Sequence, residues 1–241
     1  MEESYRRFAR QVTLPGFGIE AQRKLASSSV LVAGVGGLGG PLALELAAAG
    51  VGELTLIHEG NLALEDLNRQ VLMSEDGLGQ PRAELAKGTI QRFSKTTRVH
   101  AFSGFVRDLD LDALQPKPDL IVDCRHHFED REALGRFAMD TQTPLLELAM
   151  YAFEGQVVLL DPPRTPCLFC LFPSFPAWNQ HFGVLGAHSG LMGCLGALVA
   201  VSFLGMGIKE YYGTLGLIRA MPLEVKKVKL KKRPGCVCQE W

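Results

Sequence analysis

Apolar and polar positions alternate along the chain in blocks that predict a strand, a helix and a second strand in succession. Leu31 and Val32 lie in a short apolar run, residues 41–50 are alanine-rich and end at Gly50, and residues 53–60 form a second, mainly apolar run. Short apolar runs are typical of buried parallel strands, and a glycine directly after a helical segment marks where the helix ends. The pattern therefore predicts a βαβ unit near the N-terminus.

The same alternation continues through the rest of the chain. Further helices are predicted over residues 80–93 and 130–140, and further strands over residues 98–102, 119–124, 143–150 and 155–163. Two extended runs on either side of Met221-Pro222 predict a hairpin close to the C-terminus. We therefore expect an α/β fold with a Rossmann-like, doubly wound, mostly parallel sheet and an antiparallel C-terminal extension, in a single domain over residues 1–241.

Two later segments do not follow this alternation of predicted strands and helices. Residues 183–208 contain no Asp, Glu, Lys or Arg and are long enough to cross a membrane. Several glycines and the internal His188-Ser189 pair lower their hydropathy and no second such segment accompanies them, so we expect a buried core helix and no membrane association. Residues 164–182 are rich in proline and predict a long irregular loop.

Composition narrows the class of protein. Hydrophobic residues make up 47% of the chain and charged residues 21%, as in folded globular proteins rather than disordered ones. A formal net charge of −1 argues against a nucleic-acid partner. The lysine-rich residues 226–233 indicate either a solvated strand edge or a docking surface for an acidic partner. Residues 1–11 lack the apolar run of a signal peptide, which favours a cytoplasmic location.

A glycine-rich loop follows the first predicted strand and opens the first long helix. Such a loop allows backbone N–H groups and the positive end of a helix to approach a phosphate closely. On its own it does not separate NAD from ATP, and its glycines can also serve packing alone. Glu59, at the end of the second strand, is a candidate to accept hydrogen bonds from ribose hydroxyls. The loop residues expected to bind a nucleotide are Gly34, Gly36, Gly37, Leu38 and Gly39.

Several motifs in a fixed order carry a resemblance that is more specific than the glycine loop. They are ARQ at residues 9–11, GVGGLGG at 34–40, AGVGELTLI at 49–57, LNRQ at 67–70, GLGQPRAE at 77–84, PCLFC at 166–170 and PGCVC at 234–238. The chain resembles the ThiF/MoeB/HesA family, the bacterial relatives of ubiquitin-activating enzymes, over residues 5–238. An NAD-dependent oxidoreductase is disfavoured because the remaining motifs do not belong to that chemistry.

The resemblance implies an ATP-dependent adenylyltransferase. Such an enzyme forms an acyl-adenylate on the C-terminal glycine of a ubiquitin-like sulfur-carrier protein and releases pyrophosphate. It further implies a homodimer in which Arg10 reaches into the nucleotide site of the neighbouring subunit. By the same resemblance Arg69 holds phosphate oxygens, and its guanidinium can do so in a bidentate manner. The alternatives are a solvated Arg10 and an Arg69 that forms a structural ion pair with Glu65 or Asp66.

The chain also departs from the pattern of the family at four positions of the expected site. His58 replaces the aspartate that binds ribose, Asp66 replaces an asparagine, and Arg82 replaces a lysine that contacts phosphate. His126 stands where the family has the aspartate that binds Mg²⁺. Imidazole is a poor ligand for this hard cation, so Mg²⁺ is doubtful, although His126 with its neighbours could supply positive charge itself. The thiol that some relatives carry before the apolar helix is expected to be absent, with Asn179 near that position.

Two interpretations of these departures compete. In the first, the protein is a divergent adenylyltransferase in which Arg10, Arg69, Arg82 and His126 act in catalysis and His58 and Glu59 help to bind the nucleotide. In the second, it is a pseudoenzyme that keeps the fold, the dimer and a docking surface for its partner but has lost the activation reaction.

Paired cysteines suggest a second site, because in a reducing compartment such spacings indicate a metal before they indicate disulfides. They resemble the structural zinc site of the family, although the second pair is spaced CxC rather than CxxC. A CxC pair can still offer two thiolates to a tetrahedral ion. The alternatives are a metal-free remnant or a disulfide. The expected zinc ligands are Cys167, Cys170, Cys236 and Cys238.

Overall fold

The computed structural model describes residues 3–162, 164–175 and 182–239. Its strands form one eight-stranded sheet in the order β3-β2-β1-β4-β5-β6-β7-β8. The strands are β1 (Ser29–Ala33), β2 (Glu53–His58), β3 (Arg98–Ser103), β4 (Leu120–Asp123), β5 (Leu145–Tyr151), β6 (Glu154–Leu160), β7 (Thr214–Ala220) and β8 (Leu223–Lys229). Pairing is parallel from β3 through β5 and antiparallel from β5 through β8. This arrangement confirms the predicted fold class.

Helices cover the two faces of this sheet. The α-helices are α1 (Ala9–Val12), α2 (Gly18–Ser27), α3 (Gly39–Ala49), α4 (Arg82–Phe93), α5 (Phe128–Asp140), α6 (Leu168–Leu171) and α7 (Gly186–Met206). Short 3₁₀ helices lie at Glu3–Phe8, Leu64–Asp66, Glu75–Gly77, Val106–Asp108, Leu111–Ala113 and Val237–Gln239. The helix α2 was not predicted from the sequence, and α6 is a single turn within the segment predicted to be irregular.

Alternate residues of the central strands enter two separate cores. Val30 and Val32 of β1 join the core beneath α2, α3, α4 and α7, whereas Leu31 and Ala33 join the core beneath α5. Both faces of β1 are therefore buried, because successive side chains of a strand point to opposite faces. The continuous apolar runs in the sequence reflect this double burial.

The apolar segment forms α7, which packs against α2, α3 and β5. It is long and apolar enough to cross a membrane by length and composition, and half of its most apolar stretch is buried within the protein. At Gly193 an added Cβ would lie 2.3 Å from the backbone oxygen of Leu38. The absence of a side chain thus allows α7 to approach the glycine loop closely, although Leu191 and Leu198 remain about half exposed on its outer side.

The segment before α7 and the C-terminal hairpin also bear on the predictions. Asn179 lies outside the described residues, as do its neighbours from 176 to 181 and residue 163. The predicted hairpin is present, with β7 and β8 antiparallel around Met221 and Pro222. Every residue of β8 is exposed, and its lysines lie along the edge of the sheet.

Candidate functional site

A pocket of about 430 Å³ opens where β1, β2 and β4 end at their carboxyl edge. In open α/β sheets this edge is where ligands bind. Most of the predicted site residues reach the pocket. Those that line it are Gly36, Gly37, Leu38, His58, Arg69, Arg82 and His126. The predicted residues Gly34, Gly39, Glu59 and Arg10 do not line it.

The glycine loop makes its turn at two positions that cannot carry a Cβ. Gly34 has a φ of 93°, and a Cβ there would lie 2.8 Å from the backbone oxygen of Cys124. A Cβ on Gly39 would overlap the backbone oxygen of Gly34 at 1.8 Å. These two glycines close the turn, and Gly36 and Gly37 are left facing the pocket at the start of α3. The loop thus presents backbone and a helix N-terminus to a ligand, as a phosphate site requires.

His58 ends β2 and is only 6% exposed. The backbone N–H of Val35 donates to its Nδ1 at 3.0 Å, so the ring proton resides on Nε2. Within the described structure Nε2 has no hydrogen-bond partner. Burial lowers the pKa of His58 to about 3, with the nearby arginine charges acting in the same direction. His58 is therefore a neutral imidazole that offers one donor beside Gly36, where the family pattern has a carboxylate acceptor.

Glu59 is held by Arg125 and does not face the ligand side of the pocket. The carboxylate of Glu59 pairs with Arg125, whose guanidinium also contacts Asp130 at 2.7 Å. Burial opposes ionisation of Glu59, but the hydrogen bond and charge of Arg125 outweigh it and lower the pKa of Glu59 to about 2. Its predicted role as a ribose ligand stays a prediction, and this ion pair is a competing use of the same carboxylate.

Arg69 and Arg82 converge on one buried carboxylate, that of Asp66. Asp66 lies 3.2 Å from Nη2 of Arg69 and 3.3 Å from Nη1 of Arg82. It also accepts from the amide of Gln70 at 2.7 Å and from the backbone N–H of Ala63 at 3.0 Å. The other nitrogens of Arg82 donate to a backbone oxygen at Glu59. Both guanidinium groups therefore line the pocket in fixed positions, and both already have an anionic partner.

His126 lies beside His127, with the two ring centroids 4.0 Å apart. Nε2 of His127 is 3.6 Å from Oε1 of Glu59. Burial lowers the pKa of His126 to about 4, and the charges of His127 and Arg125 add to this effect. This donor set does not suit Mg²⁺, which takes oxygen ligands and dehydrates reluctantly. The doubt about Mg²⁺ raised by the sequence thus finds support in the donors at this position.

A buried network lies behind the pocket and was missed in the sequence. Arg131 is 4% exposed and pairs with Asp123 at 3.2 Å and with Glu147. Its Nε donates to the backbone oxygen of Arg125, and its Nη2 to that of Leu148. Burial raises the pKa of both Asp123 and Glu147, against the effect of Arg131. Arg131, which also lines the pocket, thereby joins the end of β4 to the middle of β5.

The side of the pocket away from the glycine loop is more apolar. Met150 and Tyr151 of β5, Leu217 of β7 and Phe182 form this part of the wall. Tyr151 stacks on Phe182 with ring centroids 5.9 Å apart. This part of the pocket could accept an extended peptide beside a nucleotide.

Arg10 lies on the exposed surface of α1 and points to no group of the pocket in its own chain. Its backbone oxygen accepts from the hydroxyl of Thr13 at 3.0 Å. A role for Arg10 in a neighbouring subunit stays a prediction, because only one chain is described.

The four paired cysteines meet in space. Sγ of Cys167 is 3.6 Å from that of Cys236, and Sγ of Cys170 is 3.4 Å from that of Cys238. All four sulfur atoms lie within 4.8 Å of one another. Sulfurs bound at about 2.3 Å to one tetrahedral ion are about 3.8 Å apart, so this cluster has the dimensions of a metal site. The CxC spacing does not prevent the convergence of the thiols.

Comparisons with known proteins identify the family of this chain. The profile of the ThiF family matches residues 8–238. Protein HesA, vegetative, of Trichormus variabilis is 45% identical over 82% of this chain and 75% of its own length. The sulfur carrier protein ThiS adenylyltransferase of Escherichia coli is 31% identical over 98% of this chain and 96% of its own length.

Solved structures extend the comparison to the fold. The crystal structure of E. coli MccB superposes with a TM-score of 0.85 at 19% identity, covering 99% of this chain and 73% of MccB. At this identity the likeness concerns the fold, with its Rossmann-like sheet. The sequence motifs and the match over residues 8–238 confirm the resemblance seen in the sequence, and the chain belongs to the ThiF family.

Proposed function

We propose that the protein is an ATP-dependent adenylyltransferase that activates the C-terminal glycine of a ubiquitin-like sulfur-carrier protein. The observation that carries the proposal is the pocket in which the glycine loop and the guanidinium groups of Arg69 and Arg82 face one volume. Backbone N–H groups and two arginines suit a triphosphate. The chain's membership of a family that includes the ThiS adenylyltransferase supports the same reaction.

In this reaction an oxygen of the carrier's terminal carboxylate attacks the α-phosphorus of ATP. The new O–P bond forms while the bond from the α-phosphorus to the oxygen bridging to the β-phosphorus breaks, and pyrophosphate leaves. Negative charge moves toward the leaving group, so preorganised positive groups stabilise the transition state. In this proposal Arg69 and Arg82 hold phosphate oxygens, and Arg10 of the partner subunit adds a third guanidinium. His58 donates its Nε2 proton to a ribose oxygen, and His126 lies at the phosphate side.

The remaining parts of the proposal concern assembly and location. The cysteine cluster suits Zn²⁺, which takes four thiolates in structural sites and would join the segment around α6 to the C-terminus. The protein acts as a homodimer in the cytoplasm, and the exposed Leu191 and Leu198 on α7 support an apolar contact between subunits. We assign no nucleic-acid or membrane partner.

A second candidate function, that of a pseudoenzyme, draws support from Asp66. Its carboxylate already pairs with Arg69 and Arg82 and offsets one of their two positive charges, and a triphosphate would have to displace it. A protein that kept the fold and the carrier-docking surface but bound no nucleotide would fit this arrangement.

Exchange of labelled pyrophosphate into ATP separates the two functions. We expect the wild-type protein, given ThiS and other small carriers ending in Gly-Gly, to catalyse exchange with at least one of them. The Arg82→Ala variant should lose most of this activity, whereas Arg136→Ala, at an exposed surface ion pair on α5, should retain it. Tight binding of a carrier with no exchange and no calorimetric signal for ATP would instead establish the pseudoenzyme.

A further inference from the structure

Glu59, His126 and His127 bring one carboxylate and two imidazoles together at the edge of the pocket. One potential ligand atom from each residue lies within 4.8 Å of the other two. We propose that these three side chains bind a divalent first-row transition ion, with Zn²⁺ as the expected occupant, at the place where the family pattern would have Mg²⁺. The site itself stands on this donor geometry, and its role beside a triphosphate rests on the proposed function.

The distances are close to those of a formed site. Oε1 of Glu59 and Nε2 of His127 are 3.6 Å apart, and a ring nitrogen of His126 lies within 4.8 Å of a ligand atom of each. Ligand atoms bound at about 2.1 Å to one ion are separated by roughly 3 to 4.2 Å. Small rotations of the side chains, of less than about an ångström at their ends, therefore bring all three atoms to bonding distance of one ion.

The donor types select the class of metal. Neutral imidazole nitrogens suit Zn²⁺, Fe²⁺, Co²⁺ and Ni²⁺, and two histidines with one carboxylate are a known ligand set for ions that keep open positions. Mg²⁺ prefers oxygen donors in an octahedral arrangement and finds one carboxylate among these three side chains. The replacement of the family's carboxylate by His126 thus changes which ion is preferred and does not remove metal binding.

A network of ion pairs holds the carboxylate of this group in place. Arg125 orients the Glu59 carboxylate and also contacts the buried Asp130 at 2.7 Å. Asp130 also pairs with Arg107 at 3.2 Å.

One side of the triad faces the ligand. His126 lines the pocket together with Arg82 and Gly36, whereas His127 lies behind it against Phe105, with ring centroids 5.4 Å apart. An ion held here keeps open positions toward the pocket, where phosphate oxygens could complete its coordination. The ion would then supply part of the charge stabilisation that carboxylate-bound Mg²⁺ would supply in a site of the usual family pattern.

Equilibrium dialysis with Co²⁺ tests the site in protein whose cysteine cluster already holds zinc. Without any nucleotide, we expect one Co²⁺ per chain with visible d–d absorption and no thiolate charge-transfer band, displaced by Zn²⁺ but not by a hundredfold excess of Mg²⁺. His126→Ala and His127→Gln should each weaken Co²⁺ binding at least tenfold, as is typical for loss of a metal ligand. His100→Ala, which removes a half-exposed histidine on β3, should leave it unchanged.

His126→Asp provides a positive test of selectivity. It replaces a nitrogen donor by oxygen donors and should raise Mg²⁺ affinity while lowering that for Co²⁺. Circular dichroism of each variant checks that the fold is retained. Absence of a second ion in the wild type, or equal Co²⁺ binding by the folded His126→Ala and His127→Gln variants, would overturn the proposal. The dialysis contains no nucleotide, so it tests the metal site independently of the adenylation reaction. If the protein binds Co²⁺ but does not catalyse pyrophosphate exchange, the metal site is supported and only the adenylation reaction is contradicted.

Discussion

The side chain at the end of β2 determines which nucleotide atoms this pocket can hold. His58 accepts from the N–H of Val35 through Nδ1 and has a buried Nε2 with no partner among the described residues. An aspartate would accept from two ribose hydroxyls, whereas this imidazole can only donate from Nε2. His58 therefore donates a hydrogen bond at the position where the aspartate of the family pattern would accept one.

The variant His58→Asp tests this reversal directly. We expect ATP affinity to increase roughly tenfold, because hydrogen bonds to a charged acceptor contribute about 1.5–3 kcal/mol. The gain should be absent with 2′,3′-dideoxy-ATP, which lacks both hydroxyls. Isothermal titration calorimetry with the two nucleotides gives the comparison, and an equal gain for both would count against a ribose at this position.

The buried imidazole should also appear in the pH dependence of stability. The pKa of His58 is lowered from 6.5 to about 3, so between these pH values the unfolded chain binds a proton that the folded one excludes. The free energy of unfolding should therefore fall as pH falls from 6.5 toward 3, by up to about 1.4 kcal/mol per pH unit for one such group. His58→Asn should flatten this slope in urea titrations, while His100→Asn should not. A slope that persists in His58→Asn would assign the effect to other groups.

Single residues show how far the sequence could predict the site. The glycine loop, Arg69 and Arg82 were identified because their motifs fix their spacing along the chain. The pairing of Glu59 with Arg125 joins residues far apart in sequence, through the parallel pairing of β2, β1 and β4, and no periodicity carries that information. An ion pair of Arg69 with Asp66 was one of the alternatives raised from the sequence, whereas the contact of Asp66 with Arg82, sixteen residues away, depends on side-chain directions that the sequence does not show.

At the level of elements, the approach of α7 to the glycine loop shapes one wall of the pocket. Ser189 of this helix lines the pocket, and its Oγ lies 2.9 Å from the position of a Cβ on Gly37. Gly193, one turn further on, faces the backbone oxygen of Leu38. Because Gly37 and Gly193 have no side chains, α7 can pack closely against the glycine loop.

Replacing Gly193 by alanine should disturb this contact. The added Cβ would lie 2.3 Å from the oxygen of Leu38, and backbone cannot yield as a flexible side chain can. We expect a loss of about 2–4 kcal/mol in the free energy of unfolding and weaker nucleotide binding. Gly190→Ala is the matched control, because its Cβ would meet nothing within 4 Å. It should be neutral or stabilise α7 by about 0.5–1 kcal/mol. Equal effects in urea denaturation would exclude close packing as the reason for Gly193.

Elements were predictable where burial leaves a simple pattern. The strands β1, β2 and β4 are buried along their whole length and gave short, mainly apolar runs. The helix α2 was not predicted because it has little apolar periodicity: only three of its ten residues are buried, and one of these is the polar Gln22. Gln22 donates to the backbone oxygen of Ala49, a tertiary contact that sequence periodicity cannot show.

For the molecule as a whole, the cysteine cluster joins two distant parts of the chain. Cys167 directly precedes α6 and Cys170 lies within it, and Cys236 and Cys238 lie near the C-terminus after the exposed β8. Within the described structure this cluster is a compact, largely apolar contact that includes Met139. A bound ion would supply much of the energy that holds the C-terminal segment in place.

Removing a metal from this cluster should release the C-terminal segment. We expect one zinc per chain in the cysteine cluster of untagged protein, in addition to any ion held by Glu59, His126 and His127, and Cys236→Ser should lose the cluster ion and at least about 2 kcal/mol of stability. Trypsin should then cut faster within residues 231–233. Cys194→Ser, at an exposed thiol on α7, should keep both metal and resistance. Metal content near zero in the wild type would contradict the assignment.

Subunit complementation tests the contribution of Arg10 to a neighbouring site. Arg10→Ala and Arg82→Ala should each be inactive in pyrophosphate exchange. After random mixing of subunits, half of the dimers are mixed and each contains one intact site, so about a quarter of the wild-type activity should return. Light scattering of tagged chains confirms that subunits exchange. If they exchange and no pyrophosphate-exchange activity returns, Arg10 and Arg82 act in the nucleotide site of the same chain.

The carboxylate of Asp66 already pairs with Arg69 and Arg82, two arginines that line the pocket. An incoming anion must outcompete a resident partner of Arg69 and Arg82, and only a ligand with several negative charges gains enough from two guanidinium groups to do so. We expect the protein to rank nucleotides by charge, with triphosphate well ahead of monophosphate. The same resident anion would speed the departure of pyrophosphate, because Asp66 returns to the arginines as the product leaves.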